Sequence, residues 1–91
     1  MVTLVWTETF VHTARRFLRR HPDLRSDFET VLLRLENNPR DSTLRLHPLR
    51  GRHAGKHAVS LTYSYRIVLI LALQDGEVVL LDIGSHDEVH R

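Results

Sequence analysis

The chain has 91 residues, 42% of them hydrophobic, and carries 13 Lys and Arg against 11 Asp and Glu for a formal charge of +2. That is enough for one domain of two or three layers over residues 1–91, and too little for a second. There is no cysteine to support a disulfide, and no apolar run approaches the roughly 18 residues of a membrane span.

The start, MVTLVWTET, has neither the charged opening nor the apolar stretch of a signal peptide, so a soluble cytoplasmic protein with no membrane partner is expected. Its residues alternate, with Val2, Leu4 and Trp6 on one side and Thr3 and Val5 on the other, as in a short strand. Thr7 stands where a helix N-cap belongs. Phe10, Ala14, Phe17 and Leu18 then form one helical stripe, with Arg15, Arg16, Arg19 and Arg20 lying off it, and His21-Pro22 closes the helix. A second stripe of Leu24, Phe28, Val31, Leu32 and Leu35 ends at Asn37, Asn38 and Pro39. Together the two segments predict a helical hairpin whose apolar faces need a sheet.

The second half supplies that sheet. Leu44 and Leu46 begin a possible strand, and LHPLRGRHAGK, residues 46–56, is a basic loop punctuated by Pro48, Gly51 and Gly55. Alternation returns from His57 to Tyr63. YRIVLILAL, residues 65–73, is apolar on both faces and reads as a central strand; Gln74-Asp75-Gly76-Glu77 is a turn, Val78 to Ile83 the returning strand, and Gly84 its end. The order β-α-α-β-β-β predicts an α+β domain, with the helical hairpin packed on a small, mainly antiparallel sheet.

Twelve of the 13 basic residues are arginine, and there are seven histidines. The loop, the strand after it and the C-terminal turn bring His47, Arg50, Arg52, His53, Lys56, His57, Arg66, His86 and His90 into one part of the chain. Imidazoles exchange protons near neutral pH, and cations beside them can hold a phosphate. That pairing fits RNA cleavage without metal, in which a base takes the proton of a ribose 2′-hydroxyl, the oxygen attacks phosphorus, and an acid protonates the departing 5′-oxygen. His12 and His21, on or beside the first helix, are ordinary surface or hydrogen-bonded residues on this reading, and the arginines of that helix form a solvated face. Arg66 differs because it interrupts an apolar strand, where a charge needs a partner, a ligand or an exposed strand end.

The last ten residues, DIGSHDEVHR, pose a competing reading. HDEVH approaches the H-E-x-x-H pattern that sets two zinc-binding imidazoles on one helical face. Here the acid is Asp87, the segment directly follows Gly84, and the chain supplies no downstream third ligand. No metal and no other cofactor is therefore expected.

LHPLRGRHAGKHAVSLTYSYRIVLIL, followed by QDGEVVLLDIGSHDEV, resembles the RelE/ParE toxin superfamily, and within it the YafQ-like messenger RNA endonucleases. The similarity spans nearly the whole chain and is sharpest in HPLRG, YRI and IGSHDEV. It implies a type II toxin that cleaves messenger RNA in the ribosomal A site, with messenger RNA, the ribosome and its RNA, and a neutralising cognate antitoxin as partners, the last in a hetero-oligomer. The resemblance implies catalytic roles for His47, His57 and His86, phosphate binding or transition-state support for Arg66, and the last position of the catalytic site for His90, which can stack or titrate there. Arg50, Arg52 and Lys56 would bind substrate through phosphate contacts. Two positions depart from the pattern: Leu61 stands where an aspartate is expected, and His90 where an aromatic ring is usual. Two other functions remain open: a ParE-like DNA gyrase inhibitor, or a member without catalysis that only binds an antitoxin.

Overall fold

A computed structural model describes residues 1–85. Strand β1 (Thr3–Trp6) leads into helices α1 (Glu8–Arg20) and α2 (Arg25–Asn37), followed by β2 (His47–Pro48), β3 (His57–Ser60), β4 (Tyr65–Ala72) and β5 (Glu77–Ser85). The five strands form one sheet in the order β1-β5-β4-β3-β2. Only β1 and β5 run parallel, because the whole intervening chain serves as their crossover; the other pairs are antiparallel. The expected α+β architecture is observed, with one strand more than the order β-α-α-β-β-β, since the short β2 precedes the three expected C-terminal strands.

Local sequence explains the helical hairpin. The Thr7 hydroxyl accepts the Phe10 N–H at 3.1 Å, capping α1, and donates to the Leu80 carbonyl at 2.7 Å, tying that cap to β5. A Thr7→Ala substitution should therefore cost about 1–2 kcal/mol, as a lower midpoint in a denaturant titration. His21 ends α1, and Pro22 opens the single turn that leads to α2. Phe10, Ala14 and Phe17 from α1 meet Phe28, Val31 and Leu35 from α2 over one face of the sheet, where Val59, Leu61, Ile67, Leu69, Val78, Leu80 and Ile83 complete the core. Each large side chain so buried contributes about 1.5–3 kcal/mol. None of the described helices is long and apolar enough to cross a membrane.

Three strand boundaries differ from expectation. β2 is only two residues long, because Ser42–Leu44 form a helical turn and Arg45 adopts φ 53°, which swings the chain away from the sheet before His47. β3 stops at Ser60, where residues 61–64 turn the chain into β4. Gly84 does not break β5. It pairs with Arg66, and the strand continues to Ser85, paired with Tyr65.

The register of β5 contains one further departure. Val68 pairs with Asp82 and Leu69 with Leu80, so Leu81 is the extra residue of a β-bulge. Leu80 and Ile83 can then both face the helices although they are three apart in sequence, while Leu81 packs with Ala58, Val68 and Leu49 on the opposite face. The bulge thus decides which face receives everything after Leu81.

Candidate active site on the open face of the sheet

Residues opposite one another in an antiparallel pair share a face. Opposite the helices, this rule aligns Ser60 with Arg66 and Gly84, and the neighbouring row aligns His47 with Ala58, Val68 and Asp82. His47 and Arg66 are therefore on the same face, two strand spacings apart across the sheet and two residues apart along it, roughly 12 Å between their backbones. A nucleotide phosphate and its ribose can bridge that gap.

Each is held in a definite way. The His47 Nδ1 lies 2.9 Å from the Arg45 carbonyl oxygen. A carbonyl only accepts, so Nδ1 is the donor in this contact, which favours the tautomer whose basic nitrogen is Nε2. The left-handed conformation of Arg45 aims that carbonyl. Arg66 lies between two small residues, and its Nε is buried without a hydrogen-bond partner among the described residues. Leaving such a donor unpaired costs free energy that an anionic ligand would recover.

His57 is not on this face. It pairs with Leu69, which lies wholly in the helix-side core, so the sheet itself separates His57 from His47 and Arg66. Its Nδ1 is buried and has no partner among the described residues. Convergence of His57 with the other two, expected from the sequence, is not what the register gives. Leu61 belongs to the same helix-side core at 7% exposure; an aspartate there would be a buried charge, and leucine instead fills the space.

The basic loop is pinned by Leu49, which packs on Ala58 and Val68 and donates its N–H to the Lys56 carbonyl at 2.9 Å. Gly51 and Gly55 supply the positive φ angles of 67° and 92° that its turns demand. Arg50 and Arg52 are exposed on the loop, whereas Lys56 lines a separate cavity of about 410 Å³ with His53, Ile70, Leu81 and Asp82. His86 and His90 lie outside the described residues. Among the described residues no cluster of three His, Asp or Glu is arranged to hold a metal.

Beside Arg66 is a cleft of about 590 Å³, bordered by α2, the Ser42–Leu44 turn and the β3–β4 turn. It contains Arg34, Arg45, Ser60, Thr62 and Tyr63, which sequence reasoning did not place in a site. Ser60 was the most legible of them, since period-two alternation from Ala58 puts it with Arg66. At the rim, the Thr43 hydroxyl and then its backbone N–H donate to Asp41, and with Arg34 nearby they hold its carboxyl below the usual range. Their stabilisation is present at neutral pH and is lost as the pH falls through that depressed value.

No family model and no curated protein matches the sequence. Solved structures do match. A copper-bound mutant toxin from Helicobacter pylori is 26% identical with a TM-score of 0.79, covering 98% of this chain and 99% of the other. YafQ from E. coli has a TM-score of 0.81 at 16% identity over 100% of both chains, and a YoeB/ParE toxin from Agrobacterium tumefaciens has 0.76 at 18% over 93% of this chain and 99% of its own. The chain has the fold of the RelE/ParE toxin superfamily. In fold it is similar to YafQ.

Proposed function

We propose that the protein is the toxin of a toxin–antitoxin pair and a metal-independent endoribonuclease acting on messenger RNA. The observation that carries this reading is the pairing, on one sheet face, of an oriented His47 with an Arg66 whose buried Nε has no partner among the described residues. Structural likeness to YafQ in complex with the DinJ antitoxin, at a TM-score of 0.79 and 16% identity, supports the antitoxin partner.

In the proposed reaction the His47 Nε2 takes the proton of a ribose 2′-hydroxyl, and the freed oxygen attacks the adjacent phosphorus. Arg66 stabilises the charge gathering on the phosphoryl oxygens, and an acid protonates the departing 5′-oxygen, leaving a 2′,3′-cyclic phosphate. With His47 as the base, His86, a catalytic position by the family resemblance, takes the acid's role. His90 supports the substrate by stacking or proton exchange, and Arg50 and Arg52 steer the message and ribosomal RNA through phosphate contacts. Lys56, beside another cavity, contributes only to the wider positive field. His57, behind the sheet, takes no part in the chemical step.

Expression without the antitoxin tests the reading. Transcripts should be cut while plasmid supercoiling is unchanged, and cleavage by the purified protein should persist in EDTA. Intact transcripts with gyrase-linked DNA breaks would establish the ParE-like activity instead, and loss of cleavage in EDTA with recovery on added zinc would establish a metal enzyme.

A further inference from the structure

We propose that the cleft beside Arg66 is a docking site for single-stranded RNA, in which Tyr63 stacks on a base flanking the reacting phosphate and Arg45 holds that nucleotide's phosphate. The choice of RNA rests on the nuclease reading above; the geometry of the cleft stands independently of it. The volume of about 590 Å³ falls within the range of ligand clefts, roughly 300–1,000 Å³.

Tyr63 is 99% exposed, so none of the described residues packs on its ring. Yet the backbone that carries it is fixed. Leu61 N–H donates to the Tyr65 carbonyl at 2.9 Å, Thr62 N–H to the same oxygen at 3.3 Å, and Ser64 N–H to the Thr62 hydroxyl at 3.2 Å. Buried Leu61 anchors the near end of the turn in the core. A rigid turn presenting an unpacked aromatic ring beside cations is how single strands are bound, because every base offers a face for stacking.

The charges in the cleft favour an anion. Arg34 is partly offset, since it donates to the Thr43 hydroxyl at 3.2 Å and lies near Asp41. Arg45 is exposed, and its guanidinium has no hydrogen bond or ion pair among the described residues. With the unpaired Nε of Arg66 this leaves two cations without a counter-charge among the described residues. β2 pairs with β3 only at His57 and Ala58; beyond them, among the described residues, the Ser42–Leu44 turn rather than a strand lies along β3, and the cleft sits between that turn and the β3–β4 turn. Arg45 also connects the cleft to the reaction, because its carbonyl orients His47.

The test is equilibrium binding of a short single-stranded 2′-O-methyl RNA, which lacks the attacking hydroxyl and cannot be cleaved. Tyr63→Ala should weaken binding about tenfold. Tyr63→Phe should bind as the wild type does. Arg45→Asn, chosen because asparagine tolerates the left-handed conformation, should weaken binding about fivefold and flatten its salt dependence, with partial recovery in Arg45→Lys. Arg19→Gln, on the distant α1 surface, should change nothing. Unchanged affinity in Tyr63→Ala and Arg45→Asn, in a protein that still cuts transcripts, would overturn the docking site and leave the nuclease reading intact. A wild-type protein that neither binds this RNA nor cuts transcripts would overturn both.

Discussion

If the proposed nuclease mechanism holds, replacing Arg66 by alanine should reduce RNA cleavage about 10²–10³-fold while the protein remains folded. The magnitude is that of removing one donor aimed at developing transition-state charge in a partly desolvated site. Stability should change by less than about 1 kcal/mol, since no hydrogen bond among the described residues is lost and a buried unpaired Nε is removed. Arg66→Lys should recover only part of the activity, because an ammonium is a point charge without the planar fork that matches two phosphoryl oxygens. Measuring cleavage alongside a denaturant titration separates the two effects. Full cleavage in a folded Arg66→Ala protein would remove Arg66 from the mechanism.

Phe10→Ala should be the most damaging change in the core, costing about 3–5 kcal/mol. Phe10 is fully buried, its ring stacks on Phe28 at 6.3 Å, and it meets Trp6 edge-on at 5.0 Å. Because small domains are stable by only about 5–15 kcal/mol, much of the mutant population should unfold at physiological temperature. Trp6 is the only tryptophan, so its fluorescence reports the loss directly. Leu33→Ala, at a position 62% exposed, should shift the transition little and serves as the control. A Phe10→Ala protein as stable as that control would mean that the two-helix layer is not the stabilising core described above.

The helical hairpin was legible because its cues are local. Thr7 caps, the stripes at helical spacing face the sheet, and His21-Pro22 and Asn38-Pro39 stop each helix at the expected place. Arg66 was legible as an anomaly, a charge in an apolar strand. His57 was misplaced for a physical reason: spacing along a strand gives alternation, while the face on which that alternation starts depends on the partner strand. Leu61 looked like a lost catalytic position in the sequence and is a core residue in the fold. Tyr63 and Arg45 gave no signal, since an exposed tyrosine and one arginine among twelve are unremarkable until a turn and a left-handed backbone bring them to the same cleft.

The sequence by itself determined the order of elements, the apolar stripes and the basic, histidine-bearing second half, because these depend on residues within a few positions of one another. Only the tertiary structure decided which of those residues share a face. The bulge at Leu81 shows why: without the extra residue, Ile83 would turn away from the core and Gly84 toward it, and the strand would carry the opposite set of groups to the open face. Pairing between strands distant in sequence set that register, and with it the company of Arg66.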